Sequence, residues 1–374
     1  MKLLVLKETN KNEKRVAFTT DLVKKYEKLG FEILVEKGAG IGSAILDKDY
    51  EECGAKIIDD VNKVLPDVDV VVSVQRIDNL DFSKAKKGLA FISMLNPYFQ
   101  KDELAKIAKN DITLFSMEFM PRITRGQSMD VLSSQSNLAG YVSVLEAAYL
   151  LPKAIPMMMT AAGTVTAAKF LILGAGVAGL QAIATAKRLG SVVSAFDVRT
   201  AAKEQVESLG GKFIEVKSDE ANDGVYAKEM SEEYKAKQQE LLKETIKKQD
   251  VVIATALIPG RKAPILISKE MVSLMKPGSV IVDLAAVNGG NCELTKKGQV
   301  VDVNGVKIIG HENFPSLVSA DSSKLYSKNV YNFVELLKDK EADKLNINLE
   351  DEIIKATLIS QDKKIVNDLL NSLK

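Results

Sequence analysis

Residues 169 to 197 read KFLILGAGVAGLQAIATAKRLGSVVSAFD, and they contain the clearest structural pattern in the chain. An apolar run ends at a glycine-rich turn, a helical pattern follows from about Val177 to Leu189, and a second β-branched run ends at Asp197. A strand, a helix and a strand joined in this way form a βαβ unit with parallel strands. We therefore predict a parallel sheet built around this segment.

The turn in this segment has the spacing of a phosphate-binding loop. Gly174, Gly176 and Gly179 form the pattern GxGxxG between the strand and the helix. Bare backbone there lets a pyrophosphate approach the helix N-terminus, which carries the positive end of the helix dipole. Asp197 follows Gly179 by 18 residues, at the position from which a carboxylate binds the adenosine ribose hydroxyls. That acid favours NAD over NADP, although Arg199 could compensate the charge of a 2′-phosphate.

Similar alternation extends through the rest of the chain. Before residue 130, the β-branched runs KLLVL, FEILVE, DVVVSVQ, LAFISM and ITLFSMEF alternate with helical patterns. Beyond Asp197, the runs GKFIEV, DVVIATA and GSVIVDLA resume a sheet. Such alternation is typical of α/β domains whose parallel sheets carry helices. With 374 residues, the chain is long enough for two such domains.

Composition narrows the classes of partner. Lys and Arg total 51 against 50 for Asp and Glu, so no bulk charge favours nucleic acid or an anionic membrane. The two cysteines, Cys53 and Cys292, are far apart and lack metal-ligand neighbours. We therefore expect no disulfide framework, no bound metal and a reducing cytoplasm. The N-terminal apolar run is too short for a secretory signal, and no segment is long and apolar enough to span a membrane.

A second stretch, RITRGQSMDVLSSQS at residues 122 to 136, concentrates hydrogen-bonding side chains. It contains two arginines, two glutamines and an aspartate, but no histidine and no cysteine. This composition suits a reaction that depends on the orientation of its reactants and needs no proton relay. The structural alternative is a polar interdomain hinge in which an Arg–Asp pair fixes the loop.

The domain boundary is expected just after this stretch. The segment from Asn137 to Pro152 is apolar over much of its length, and we predict a long helix that leads out of the first domain. The predicted fold class is α/β, with two Rossmann-like domains, parallel sheets and a nucleotide cleft between them. We expect an N-terminal domain of residues 1–133 completed by the C-terminal tail 320–374, and an NAD(H)-binding domain of residues 134–319.

Two further segments carry local predictions. Residues 217 to 249 are highly charged and predict a mobile loop followed by a solvated helix. In the C-terminal tail, ADSSKLYSKNVYNFVELLKDK predicts a helix, and a hairpin is expected around IIKATLISQDKKIV. The tail is too short for a domain of its own, so we expect it to pack on the first domain.

Several motifs resemble one family. MTAAGTV, GAGVAGLQAIATAKRLGSVV, FDVRTAAKEQVESLGGKF, ATALIPGR and the opening residues are similar to the soluble NAD(H)-binding alpha subunit, or domain I, of proton-translocating nicotinamide nucleotide transhydrogenase. The likeness covers almost the whole chain. A more distant resemblance is to alanine dehydrogenase, which has the same two-domain architecture. The first resemblance implies direct hydride transfer from NADH on this chain to NADP⁺ on a partner component, coupled to proton translocation across a membrane.

The resemblance also implies site residues. Arg122, Gln127 and Asp130 correspond to the family's catalytic Arg-Gln-Asp loop, which positions the nicotinamide, and Gln127 is expected to reach between the two nucleotides. The other cofactor-binding residues implied in this way are Ser128, Ser133, Gly174, Gly176, Val177, Gly179, Asp197, Val198, Arg199, Gly224, Tyr226 and Leu257. Tyr226 matches a mobile-loop tyrosine that is expected to close over the nucleotide.

The chain departs from the family pattern at Val225, where glycine is common before the tyrosine, and at Leu317, where relatives often have arginine. The resemblance further implies a homodimer that binds membrane-spanning and NADP(H)-binding components on other chains. These partners would hold it peripherally on the cytoplasmic side of the cell membrane.

Two alternative functions remain. An amino-acid dehydrogenase needs an acid–base residue beside the nicotinamide. Arg15 matches the arginine that binds the substrate carboxylate in alanine dehydrogenase, but Gln75 and Asn96 stand where that family has its lysine and histidine. His311, the only histidine, is expected to be structural. The second alternative is a non-catalytic NAD-binding regulatory module, which would use the same glycine turn and acid but has no need of the polar stretch.

Overall fold

A computed structural model shows mixed, mainly parallel sheets flanked by helices. It describes residues 1–75, 80–216, 232–339 and 341–372. The chain divides into two compact units. Unit 1 is Met1–Gln135 with Ser316–Lys374, and unit 2 is Ser136–Pro315. Within the described ranges, no helix combines the length and the apolar composition that crossing a bilayer requires.

The strands and helices are numbered in chain order. The strands are β1 (Lys2–Val5), β2 (Glu32–Glu36), β3 (Lys56–Ile58), β4 (Val70–Gln75), β5 (Ala90–Met94), β6 (Thr113–Ser116), β7 (Met158–Thr160), β8 (Gly163–Val165), β9 (Lys169–Leu173), β10 (Val192–Phe196), β11 (Lys212–Phe213), β12 (Val251–Ala254), β13 (Val280–Asp283), β14 (Val300–Val303), β15 (Val306–Ile309), β16 (Leu358–Gln361) and β17 (Lys364–Ile365). The helices are α1 (Val23–Lys28), α2 (Asp47–Cys53), α3 (Val61–Val64), α4 (Lys101–Ala108), α5 (Val131–Leu150), α6 (Val177–Arg188), α7 (Ala202–Ser208), α8 (Glu232–Ile246), α9 (Lys269–Ser273), α10 (Ser319–Leu337), α11 (Glu352–Thr357) and α12 (Asp368–Ser372).

Unit 1 is built on one sheet with the order β17-β16-β6-β5-β4-β1-β2-β3. The strands β1 to β6 run parallel, whereas β16 pairs antiparallel with β6. Because side chains alternate along a strand, Leu3 and Val5 face one core and Leu4 faces the other. The helix α10 buries Tyr326 and other apolar residues in the first core. The predicted C-terminal hairpin is present as β16 and β17, and it extends this sheet.

Unit 2 is built on a second sheet with the order β11-β10-β9-β12-β13-β15-β14. All its neighbouring strands are parallel except β14 and β15. The chain starts at the central strand β9, moves outward to β10 and β11, and then returns to the other side at β12. This is the strand order of a dinucleotide-binding fold, and its order reverses between β9 and β12. The predicted fold class is therefore confirmed.

Several predicted boundaries were wrong. The long helix α5 begins at Val131 and not at Asn137, because the side chain of Asp130 accepts the backbone N–H of Ser133 and so caps an earlier start. The strand expected in ITLFSMEF ends at Ser116, where a 3-10 turn begins. The run GKFIEV forms only the two-residue strand β11.

A short hairpin of β7 and β8 was not predicted. It forms a two-stranded sheet of its own, and all six of its strand residues are exposed. Sequence patterns identify strands through a buried face, and this hairpin presents none to the rest of its unit.

Candidate nucleotide-binding site

The glycine turn lies between β9 and α6, at the carboxyl edge of the unit 2 sheet, and each glycine has a separate reason to be there. Gly174 has φ +98°, a left-handed conformation that favours glycine. A Cβ at Gly179 would lie 1.8 Å from the carbonyl oxygen of Gly174, so this glycine lets the helix approach the strand. A Cβ at Gly176 would meet nothing within 4 Å, which leaves open space beside the backbone.

The N-terminus of α6 opens onto the same turn. The helix starts at Val177, whose side chain is 41% exposed, and its N-cap residue is Gly176. Because glycine has no side chain, it offers no cap to the first backbone N–H groups of the helix. Backbone N–H groups and the helix dipole at such an end favour an anion. The turn therefore suits a pyrophosphate, as the sequence predicts.

Asp197 lies at the end of the neighbouring strand β10, and the protein itself occupies its carboxylate. Its Oδ2 accepts the backbone N–H of Ala175 at 2.7 Å and Nη2 of Arg199 at 2.8 Å. Its Oδ1 accepts the backbone N–H of Arg199 and its Nε, both at 2.9 Å. The acid predicted to bind a ribose is thus in place beside the glycine turn, but it holds an ion pair with Arg199.

Burial and hydrogen bonding act in opposite directions on this carboxyl. Burial would raise the pKa of Asp197, but the hydrogen bonds from Arg199 and from the Ala175 amide outweigh it and lower the pKa below its usual value. The carboxyl is therefore ionised at neutral pH. The same contact raises the pKa of Arg199, so the pair carries both charges.

The loops after β12 and β13 complete this edge of the sheet. The Thr255 hydroxyl donates to the Gly174 carbonyl at 3.0 Å. Asn291 binds the loop that follows β12, because its Nδ2 donates to the carbonyls of Ala256 and Pro264 and its Oδ1 accepts the Ala256 N–H. The fully buried Asp283, at the end of β13, accepts the Asn291 N–H at 2.8 Å.

Sequence reasoning missed Asp283 and Asn291. The available signal was an aspartate at the end of a buried strand, the same signal that identified Asp197. Of the other predicted residues, Leu257 is 52% exposed in the loop after β12, and Val198 is half-buried after β10. Gly224, Val225 and Tyr226 lie outside the described residues.

The polar stretch of unit 1 presents two unengaged side chains. Arg122 and Gln127 are both exposed, and in the part of the chain that the structure describes neither side chain has a hydrogen-bond partner. Ser128 is exposed, and its carbonyl accepts the side-chain amides of Asn329 and Asn332 at 2.8 and 2.9 Å. Residues of α10 therefore fix the backbone beside Gln127.

Asp130 and Ser133 contact each other in the first turn of α5. The Asp130 carboxylate accepts the Ser133 N–H at 2.9 Å and the Ser133 hydroxyl at 2.6 Å. The predicted Arg–Asp pair within the stretch does not form, because Arg125 binds Asp351 with two bonds of 2.7 Å. Asp130 is therefore a helix cap, whatever else it contacts.

A pair of substitutions separates the capping role of Asp130 from a role in binding. Asp130→Ala is expected to lower the free energy of unfolding by about 1 kcal/mol, because it removes the cap of α5. Asp130→Asn keeps an oxygen that accepts the Ser133 N–H, so its denaturation midpoint should match the wild type. If Asp130→Asn unfolds as easily as the alanine variant, the cap does not account for this residue. NADH titration of the asparagine variant then measures what the charge contributes to binding.

Models of the two domains of one family match nearly the whole chain. The alanine dehydrogenase/PNT N-terminal domain matches residues 4–139, and the alanine dehydrogenase/PNT C-terminal domain matches residues 143–368. The chain belongs to the alanine dehydrogenase/PNT family. Within that family, it is 50% identical over 380 residues to the first of the chains that make up NAD(P) transhydrogenase subunit alpha of Rhodospirillum rubrum, and the match covers 99% of both chains.

Structure and a second branch agree with this placement. A crystal structure of transhydrogenase from Sinorhizobium meliloti is similar with a TM-score of 0.89 and 49% identity, over 98% of this chain and 100% of that one. An alanine dehydrogenase of Staphylococcus epidermidis is 31% identical over 358 residues, 92% of this chain and 91% of the relative. The resemblance to the transhydrogenase subunit is therefore confirmed, and alanine dehydrogenase is the more distant relative.

In this member of the alanine dehydrogenase/PNT family, Arg15 is a buried anchor. Its Nε and Nη2 donate to the two oxygens of Glu13 at 2.8 and 2.6 Å, and its Nη1 donates to Gln135 Oε1 at 2.8 Å. The Gln75 amide also donates to Glu13, at 3.1 Å. The guanidinium predicted to be a structural relic or loop anchor is thus fully engaged within unit 1.

Two buried acids lie near these residues. Burial raises the pKa of Glu8 to about 8, against the lowering effect of the Val74 amide that donates to it. Burial also raises the pKa of Glu118, whose carboxylate accepts the backbone N–H of Asn96 at 3.0 Å. Asn96 has φ +49°, a left-handed conformation that asparagine tolerates. Both acids therefore bind backbone at the ends of strands.

His311 has a structural contact in unit 2. Its Nε2 lies 3.0 Å from Glu146 Oε2 on α5, and its ring lies 5.4 Å from that of Phe314. The contact is that expected of a structural histidine. Across the described ranges, no group of three or more His, Cys, Asp or Glu side chains is arranged to hold a metal ion.

Proposed function

We propose that this chain is the NAD(H)-binding alpha component of a proton-translocating transhydrogenase. It would exchange hydride directly with NADP(H) bound on a partner component. The observation that carries the proposal is the glycine turn at the carboxyl edge of unit 2, in a chain that matches a transhydrogenase subunit from end to end. NAD(H) supplies the hydride when it is bound.

The residues of unit 2 fit such a cofactor. The open side of Gly176 and the uncapped start of α6 accommodate a pyrophosphate. Asp197, beside the turn, is the acid for the adenosine ribose, and Val198 and Leu257 flank the same edge. Its negative charge favours NAD(H) over NADP(H) on this chain.

The polar stretch of unit 1 would position the nicotinamide. The exposed Arg122 and Gln127 side chains are available for hydrogen bonds, and the network beneath Ser128 holds their backbone. Hydride exchange between two nicotinamides makes and breaks no O–H or N–H bond, so no general acid is needed. Orientation then provides most of the rate, which amide and guanidinium groups can supply.

The proposal includes partners. The relative from Rhodospirillum rubrum is named as a portion of a subunit, which supports assembly with membrane-spanning and NADP(H)-binding components on other chains. We propose that the chain is held through them on the cytoplasmic side of the membrane. We also propose a homodimer, supported by the apolar β7–β8 region, where Met157, Met158 and Met159 are 63%, 43% and 80% exposed. Sedimentation would test the dimer.

One mixing experiment tests the function. The purified chain with NADH is supplied either with an NADP(H)-binding transhydrogenase component and an oxidised nicotinamide analogue, or with pyruvate and ammonia. The proposal predicts turnover only in the first mixture. Turnover only in the second would identify an amino-acid dehydrogenase, and NADH binding without turnover in either would identify a regulatory module.

The clearest variant for the rate is Gln127→Asn. We expect hydride transfer to slow by about tenfold or more while the dissociation constant for NADH stays within about twofold. The shorter amide misplaces the nicotinamide but leaves the pyrophosphate site intact. Stopped-flow transfer rates and NADH titration measure the two effects separately. A large rise in the NADH dissociation constant with an unchanged transfer rate would contradict this role.

A further inference from the structure

We propose that the Arg199 guanidinium occupies the ribose-binding position at Asp197 and must leave it when a dinucleotide binds, so that Arg199 sets both the affinity for NADH and the discrimination against NADPH. This inference rests on the proposed nucleotide site in unit 2. It assigns Arg199 a competing role, whereas the sequence pattern assigns it only a contact on the adenosine side.

The first step is the count of hydrogen bonds at the Asp197 carboxylate. Two backbone N–H groups and two guanidinium N–H groups donate to it, at distances of 2.7 to 2.9 Å. A carboxylate offers about four acceptor positions. All of them are therefore taken, and a ribose diol that donates to this carboxylate must displace existing donors.

The second step identifies which donors can leave. The amides of Ala175 and Arg199 belong to the backbone of the turn and of the loop after β10, so the fold holds them in place. The guanidinium belongs to a side chain that is 29% exposed, whereas the Asp197 side chain is only 7% exposed. Solvent on its outer side gives the Arg199 side chain a place to go.

The third step compares the contacts exchanged. The guanidinium makes charge-assisted bonds from both Nε and Nη2, and these are roughly twice as strong as neutral ones. A ribose diol replaces them with two hydroxyl bonds to the same carboxylate. The dinucleotide gains only the difference, so wild-type affinity is lower than the carboxylate alone would provide.

The fourth step concerns the 2′-phosphate of NADPH. Asp197 repels this group, but Arg199 brings a positive charge to the same place, and together they have no net charge. The released guanidinium can approach the phosphate. Removing it would leave the repulsion uncompensated, so one substitution should move the affinities for NADH and NADPH in opposite directions.

The test is Arg199→Met, which keeps much of the aliphatic stem and removes the guanidinium. Isothermal titration of the full chain with NADH and with NADPH is expected to show NADH binding tighter by about tenfold and NADPH binding weaker by about tenfold. Arg188→Met is the matched control, because Arg188 is exposed at the end of α6. Its two affinities should equal those of the wild type.

Arg199→Lys is the second variant, because it keeps the charge but loses the planar fork. It should retain the wild-type affinity for NADPH while NADH binds at an intermediate strength. NADH binding to Arg199→Met that is unchanged or weaker would overturn the inference, as would a parallel loss of both affinities. In those cases NADH binding to the wild type leaves the proposed function standing, whereas a wild type that does not bind NADH would overturn both.

Discussion

Gly179→Ala is expected to abolish measurable NADH binding and to destabilise unit 2. The added Cβ would lie 1.8 Å from the Gly174 carbonyl oxygen, and both atoms belong to backbone that cannot rotate away. The helix α6 must then move off β9, which displaces the turn. Overpacking of this kind costs about 1–3 kcal/mol, occasionally more, and we expect the upper end here. The dissociation constant for NADH should rise by about a hundredfold or more.

Gly176→Ala is the matched control in the same turn. A Cβ at Gly176 meets no atom within 4 Å, and its φ of −79° suits alanine, so the denaturation midpoint should not change. Its methyl group points into the space proposed for the pyrophosphate, and NADH binding should weaken by about tenfold. Equal stability of the two variants would show that close approach of α6 to β9 is not what Gly179 provides.

Arg15→Met is expected to destabilise unit 1 strongly. The substitution leaves the Glu13 carboxylate, whose side chain is fully buried, without its ion-pair partner. Removing one member of a buried pair typically costs about 3–5 kcal/mol. Urea denaturation measures the change, and the double variant Arg15→Met with Glu13→Gln should recover part of it because no charge is then left buried.

Arg125→Met provides the comparison for Arg15. Arg125 also makes two short bonds to one carboxylate, that of Asp351, but its side chain is 52% exposed. Exposed pairs contribute about 0–1 kcal/mol, so this variant should unfold close to the wild type. An Arg15→Met protein with wild-type stability would mean that the guanidinium is free to bind a ligand, as in an amino-acid dehydrogenase.

Most of the fold could be predicted because its strands are buried and bounded by turns. The runs that became β9, β10, β12 and β13 were each identified from consecutive β-branched residues. The start of α5 was missed because Ser133, Ser134 and Gln135 resemble a loop by propensity, and a cap at Asp130 overrides that preference. The β7–β8 hairpin was missed because it lacks a buried face.

The candidate site was predictable where backbone chemistry requires a residue type. The three glycines of the turn follow from spacing alone, and their geometry agrees. Contacts between side chains distant in sequence were not predictable, as with Arg125 and Asp351. The pairing of Asp197 with Arg199 is local, but whether two neighbouring charges meet depends on rotamers that sequence patterns do not report.

The placement of β16 and β17 has a consequence for synthesis. These strands extend the sheet of unit 1 beside β6, although unit 2 lies between them in the sequence. A ribosome therefore releases every residue of unit 2 before the last strands of unit 1 exist, and domains generally fold as their chains emerge. Unit 2 can mature during translation, whereas unit 1 keeps an open edge at β6 until the chain is nearly finished, which exposes that edge to chaperones and to mispairing.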